Sequence, residues 1–419
     1  MTLPDTARGA PRLLCWAGAD AAGERAARAR VAGALRTGAP LPGPGAGPVR
    51  AAVVTTAARA VEDVAAAAVH RVAAGGPRPV ALLLPGQGSQ HPGMAVGLYR
   101  GEPVFRAAVE EVLGRWGAEG AAIRADWLAT ATAAGTGTGT GVPIDDQRRA
   151  QPLLFAVDYA LGRLLLSWGI TPAEALGHSA GEVAAATLAG VFTVAEAAAL
   201  VRGRVRAAAI ASVPPGGMLA VFASADELGP YLSGQVAVAA VNAARRTMLA
   251  GPSAQLAAVA GRLTRAGVRL RPVAATTPFH SPAMAPAVAA AEPAFAATPR
   301  PARFPVRSGY TGQLLTARQA GSARFWARQL ADTVHFGPAL TALLDGGDRL
   351  LVECGPGRVL SHLAQRQHAV RAGRSTVVSL LPGGRCDRRA VLDVAAALWC
   401  EGHDVLPGAG SAAGEHARR

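Results

Sequence analysis

The sequence contains no lysine, and all 42 of its basic residues are arginine. That absence removes a Schiff-base lysine, a lysine nucleophile and the phosphate-gripping lysine of a P-loop, so pyridoxal enzymes and P-loop nucleotidases are excluded. Cysteine is scarce as well. Cys15, Cys354, Cys386 and Cys400 form no CxxC pair and no framework spacing, which argues against a zinc site or a disulfide scaffold and fits a reducing cytoplasm. Among nine histidines there is no HExxH, and His362 and His368, six apart, do not share a helical face, so no metal is expected. No uncharged apolar run reaches the roughly 18 residues of a membrane span, and the N-terminus lacks the pattern of a secretion signal. Neither export nor membrane insertion is expected. Acidic residues number 28, leaving a formal charge of +14, but the arginines are scattered and tyrosines are only four. This reads as a solvated basic surface rather than a nucleic-acid groove, and it suits an acidic or phosphate-bearing partner by electrostatic steering.

What is present is a chain of 419 residues, half of them apolar and 17% charged, enough to bury a large core with appendages. The Gly- and Pro-rich stretch at 38–48 separates a helical Ala/Arg segment at 18–36 from an apolar run at 49–55. A further break at 73–79 sets a boundary near 77. The low-complexity segment at 129–141 reads as a surface loop. From 79 onward, strand, Gly-rich turn and helix recur: PVALLLPGQGSQ leads into a helix through Val112. A helix at 151–167 then precedes PAEALGHSAGEVAAATLAG. Such repetition predicts a parallel sheet covered by helices. Between 216 and 277, four short β runs around a helix at 253–266 predict a separate small subdomain, with a ligand cleft between it and the sheet.

Gly177-His178-Ser179-Ala180-Gly181 is a G-x-S-x-G segment where a strand should turn sharply into a helix. It projects the Ser179 hydroxyl while backbone N–H groups and the helix dipole face incoming negative charge, as an acyl-transfer nucleophile requires. A base must come from elsewhere. His280, in TTPFHSPAM, lies where the insert should rejoin the sheet, and the spacing alone leaves it open whether it is the base or a core histidine. The turn Pro85–Gln90 ends another strand and either aims N–H groups at an oxyanion or is a plain β-turn.

Together, LLLPGQGSQHPGM, QPLLFAVDYALGRLLLSWGI, GHSAGEVAAATLAGVFT, VRGRVRA, VNAARRTMLAGP, TPFHSPAM, FWARQLADTVHF and LLVECGPGRVLSHL resemble, in order and over about 290 residues, the acyltransferase domains of modular polyketide synthases and the malonyl-CoA:acyl carrier protein transacylases. The resemblance implies an α/β fold. Its hydrolase-like core has a parallel sheet flanked by helices, with a small ferredoxin-like α+β insert and an N-terminal linker-like α/β segment. The boundaries are 1–77 for a ketosynthase–acyltransferase linker, 78–365 for the acyltransferase (large subdomain 78–212 and 278–365, insert 213–277) and 366–419 for a following linker and tail. It also implies a Ser179–His280 dyad, with His280 oriented by the backbone carbonyl of Gln329 and an oxyanion hole from the N–H groups of Gln87 and Ala180. Arg204 would hold a substrate carboxylate with two parallel hydrogen bonds.

Phe279, Thr277 and Pro278 would set acyl selectivity, with Phe279 matching malonyl-selective relatives and Thr277-Pro278 departing from their usual His-Ala. Gln151, His178 and Asn242 are candidates to line the site, Gln151 equally for a helix cap. The implied donor is an acyl-CoA with no bound cofactor, and the implied partner is a phosphopantetheinylated acyl carrier protein, with neither nucleic acid nor membrane. The flanks and the starting methionine suggest a freestanding enzyme acting in trans, with a fragment excised from a larger synthase as the alternative. A transferase for an unusual acyl unit, a same-fold hydrolase of carrier-bound acyl groups and a noncatalytic carrier-binding module are the rival readings.

Overall fold

The computed structural model describes residues 9–129, 142–383 and 387–405. The low-complexity loop, from 130 on, and the polar tail expected at the end of the chain lie outside them, as does Cys386. Near the N-terminus, β1 (Arg12–Gly18), β2 (Val49–Thr55) and β3 (His70–Arg71) form an antiparallel sheet in that order. The helix Ala21–Thr37 joins the first two strands. It starts where the Asp20 carboxylate accepts the Gly23 N–H and stops at Gly38, whose φ of 71° suits glycine.

The main domain begins with β4 (Val80–Leu84) and β5 (Glu174–Gly177). The chain leaves for the insert through β6 (Gly216–Val221), β7 (Ala237–Ala243), β8 (Arg246–Pro252) and β9 (Leu270–Val273), then returns through β10 (Val306–Arg307), β11 (Leu350–Pro356) and β12 (Thr376–Leu381). The main sheet has the order β10-β5-β4-β11-β12, with every pair parallel. Its central strand β4, Val-Ala-Leu-Leu-Leu, is buried throughout, as a strand covered on both faces must be. Alternation divides it. Val80, Leu82 and Leu84 join the core of the helix Gln147–Ser167, while Ala81 and Leu83 pack with Phe336 and Leu340 of the helix Phe336–Asp345. The α/β class, the parallel sheet and the ferredoxin-like insert expected from the sequence are the ones adopted. The insert is an antiparallel sheet of order β7-β8-β6-β9, with Leu256, Val259 and Leu263 of the helix Ser253–Arg265 in its core.

The C-terminal boundary moves. A division at 365 would cut β12 from the main sheet, where the run Thr376–Leu381 pairs with β11. The helix Asp387–Cys400 then crosses from β12 to β1 and β2. The Trp399 indole donates to the Trp16 carbonyl at 3.4 Å, and the Arg50 guanidinium sits 4.4 Å above the Trp399 ring. The first and last segments, separated in the sequence reading, are thereby packed together, because each leaves an apolar face that the other buries. Among the described residues no helix is long and apolar enough to cross a membrane.

Leu84 and Gly177 are register partners at the C-terminal ends of β4 and β5. The loops that follow them emerge side by side, at the edge where parallel sheets carry their ligand sites.

Candidate active site

The turn from β5 into the helix Gly181–Leu188 is tight. A Cβ on Gly177 would meet the Glu182 nitrogen at 2.2 Å, and one on Gly181 the Leu84 carbonyl oxygen at 2.2 Å, so neither position admits a side chain. Between them Ser179 adopts φ = 53°, a left-handed conformation that costs a non-glycine residue strain. His280, in the segment rejoining the main domain, is likewise left-handed at φ = 61°, held by its N–H to the Leu330 carbonyl at 2.8 Å. These two strained residues meet: Ser179 Oγ lies 2.7 Å from His280 Nε2.

His280 Nδ1 lies 2.9 Å from the Asp332 carbonyl. A carbonyl only accepts, so Nδ1 carries the proton and Nε2 offers its lone pair to the serine hydroxyl. This corrects the role expected of Gln329. Its carbonyl gives the imidazole a lesser interaction and accepts the Tyr310 hydroxyl at 3.2 Å, because the chain turns after the helix Ala323–Arg328 and brings Asp332 to the ring. The His280 pKa is pushed down to about 3, first by burial and then by the Arg204 charge, so the ring is a neutral base across the physiological range.

The Arg204 side chain enters from the helix Val194–Ile210, and the residue is 3% exposed. One Nη donates to Gln329 Oε1 at 3.1 Å, Nε has no partner, and no carboxylate among the described residues forms an ion pair with it. The nearest buried acid is Glu182, whose oxygens accept the Gly309 N–H at 2.8 Å and Gln329 Nε2 at 3.2 Å. Burial raises the Glu182 pKa to about 8. The Arg204 charge works against that rise, but no ion pair joins the two, so the guanidinium beside the dyad holds no carboxylate.

The cleft holding these groups has a volume of about 250 Å³ and is bordered by the large subdomain and the insert. Gln87, Gln151, His178, Ala180, Asn242, Thr277 and Phe279 line it together with Ser179, His280 and Arg204. No internal acceptor among the described residues takes the backbone N–H of Gln87 or Ala180. Gln151 is not a cap: it lies inside its helix, 6% exposed, and donates to Gln87 Oε1 at 3.2 Å, bracing the loop after β4. His178 Nε2 lies 2.8 Å from Asn242 Oδ1, tying the nucleophile turn to the insert. Burial lowers the His178 pKa, so the ring is the neutral donor of that bond. Pro278 does not face the cleft. It packs against Gly216, where a Cβ would come within 2.6 Å of its ring, and its carbonyl accepts the Ser281 hydroxyl at 2.6 Å.

Sequence reasoning missed Asp332, Glu182 and Tyr310, and the floor that Met218 and Met248 supply from the insert. Glu182 carried a faint signal, an acid one turn beyond the nucleophile in an otherwise apolar helix. Asp332 carried none, since a backbone carbonyl is indifferent to its side chain.

The family model of the acyl transferase domain matches residues 82–393. The chain is 36% identical over 288 residues to a component of the phenolphthiocerol/phthiocerol polyketide synthase of Mycobacterium tuberculosis, covering 68% of this chain and 19% of that protein. It is 35% identical over 410 residues to polyketide synthase GfsA of Streptomyces halstedii, covering 94% of this chain and 5% of that one. The chain thus spans a fifth or less of these curated relatives. The crystal structure of the acyl transferase domain of SpnD in complex with 2-(pent-4-yn-1-yl)malonyl matches with a TM-score of 0.82 at 29% identity, covering 95% of this chain and 98% of that one.

Proposed function

The chain belongs to the acyl transferase domain family, and from that premise we propose that it moves a malonyl-type dicarboxylic group from coenzyme A, through a Ser179 ester, to the phosphopantetheine thiol of an acyl carrier protein in polyketide assembly. His280 Nε2 takes the Ser179 proton as Oγ attacks the thioester carbonyl. The N–H groups of Gln87 and Ala180 stabilise the resulting oxyanion, and collapse expels the coenzyme A thiolate, which receives the proton from the imidazolium. The carrier thiol repeats the sequence in reverse, losing its proton to His280 and releasing Ser179. No resident cofactor is needed, and acyl-CoA enters as substrate.

The observation that carries the dicarboxylic assignment is Arg204. Its buried guanidinium, in no ion pair among the described residues, shares the cleft of the Ser179–His280 pair, and a buried cation without an ion-pair partner is costly unless an anionic ligand supplies one. Phe279, 8% exposed beside the His280 ring, narrows the wall against a branched acyl α carbon and favours malonyl.

The test is loading with labelled malonyl-CoA, followed by transfer to a carrier protein supplied as a separate chain, which also examines action in trans. The proposal expects a label on the wild-type chain, none on Ser179→Ala, and movement of the label to the carrier. Release of free malonate as fast with carrier as without it would make the protein a hydrolase. No label with any acyl-CoA would make it a noncatalytic module.

A further inference from the structure

The insert carries a second feature, apart from the reacting groups. In its sheet Ala220 pairs with both Met248 and Arg271, and Met218 with Val273, and all five residues line the cleft. Residues directly opposite in an antiparallel sheet share a face, as do residues two apart on one strand. The same face therefore continues outward to Phe222, Arg246 and Arg269. The geometry agrees: the Phe222 ring has the Arg246 guanidinium at 4.9 Å from its centroid and that of Arg269 at 5.2 Å. Across the opening, Val359 and Leu360 of the helix Val359–Ala364 line the cleft, and Arg366 lies two residues past the end of that helix.

Four guanidiniums thus gather at one end of the cleft. Burial lowers the Arg246 pKa, and the charges of Arg366, Arg271 and Arg269 all add to that shift. No carboxylate among the described residues forms an ion pair with any of the four, although nearby Arg245 is paired with Glu227 at 2.5 Å. Arg269, Arg271 and Arg366 are exposed and Arg246 is half-buried. Like charges held this close without a counter-ion make a site for a compact polyanion.

The length of the track between the cleft and the four arginines suits one such polyanion. From Met218 in the cleft to Phe222 at the rim is four residues, about 13 Å at the strand rise. A pantetheine arm has roughly thirteen bonds from sulfur to phosphate, the reach of about four extended residues. Between the two ends the sheet offers Met218, Ala220 and Met248, an apolar track for such an arm.

The geometry points to Arg246, Arg269, Arg271 and Arg366 as a cradle for the phosphoryl groups that terminate a pantetheine arm whose thioester lies at Ser179. This inference rests on the proposed acyl transfer and adds to it where the non-reacting end of the substrate is held. The shared chemistry is a phosphate ester on pantetheine, from either the nucleotide end of coenzyme A or the carrier's phosphopantetheine.

The test compares loading from malonyl-CoA with loading from malonyl-N-acetylcysteamine, which lacks every phosphate, in wild type and in an Arg246→Gln/Arg269→Gln variant. Glutamine keeps part of the side-chain packing on Phe222, and a circular dichroism melt controls for folding. Charge-assisted contacts of this kind predict a rise of about tenfold or more in the KM for malonyl-CoA, at unchanged kcat, with a much smaller shift for the truncated donor. The salt dependence of kcat/KM should flatten for malonyl-CoA alone. A defect in the transfer step only, from Ser179 to the carrier, assigns the cradle to the carrier's phosphate. Equal effects on both donors, or no effect on loading or transfer, overturn the cradle while leaving the dyad intact. Failure of the wild type to load from either donor strikes the acyl-transfer reading itself.

Discussion

Replacing Arg204 separates a carboxylate clamp from a merely structural arginine. In the bound state the guanidinium would be the ion-pair partner of the substrate carboxylate. Removing it leaves a buried, unpaired anion, at a cost of about 3–5 kcal/mol. At 1.4 kcal/mol per factor of ten, kcat/KM for malonyl-CoA should fall about 10²- to 10³-fold or somewhat more in Arg204→Met, which keeps most of the side-chain volume. Acetyl-CoA brings no carboxylate, so its transfer should hold or rise. The discrimination between the two donors then collapses. The assay is release of the coenzyme A thiol with each donor in the presence of carrier, alongside a melt to confirm folding. Equal loss of both activities would refute the clamp and leave Arg204 as scaffold for Gln329.

Three further outcomes follow from the same geometry. Because His280 is held at about pKa 3, kcat/KM should be flat from pH 5 to 7, and Arg204→Met should move the acidic limb upward by removing the like charge; a wild-type limb near pH 6.5 would show an ordinary imidazole. Ser179→Gly relieves the left-handed strain that Ser179→Ala keeps, so it should be more stable by about 1 kcal/mol although neither variant loads; equal melting temperatures would show that the turn is unstrained. Glu196 closes a capping box with Thr193 at the start of the Arg204 helix. Burial raises its pKa, but the Arg300 guanidinium and the Thr193 and Thr298 donors outweigh this and hold it at about 2. Since the folded value is depressed, its stabilisation is present above the unfolded pKa near 4.5 and fades as pH falls toward 2. Glu196→Ala should cost about 1 kcal/mol at pH 7 and visibly less at pH 3 in chemical denaturation; a cost independent of pH would contradict the assignment.

Where local chemistry and fold agree, the sequence was readable. The glycines flanking Ser179 announce a turn that steric contact in the structure makes obligatory, and the all-apolar run of β4 announces a strand covered on both faces. The insert followed from alternation and turn residues. What could not be read depends on the path of the backbone in three dimensions. The carbonyl that orients His280 belongs to Asp332 because of how the chain turns after Arg328. Pro278 is adjacent to Phe279 in sequence but packs on the opposite side, against Gly216. The final helix buries itself on β1 and β2, far upstream in the chain, and no periodicity within either segment names the other as its partner.

The most direct test is a structure of the wild-type acyl-enzyme formed from malonyl-CoA with no carrier protein present, so that the ester has no thiol to receive it. The account requires an ester on Ser179 Oγ, its carbonyl oxygen within hydrogen-bond distance of the Gln87 and Ala180 nitrogens, and its free carboxylate on the two Nη atoms of Arg204. An ester whose carboxylate points out of the cleft toward solvent, with Arg204 still bound to Gln329, would contradict it.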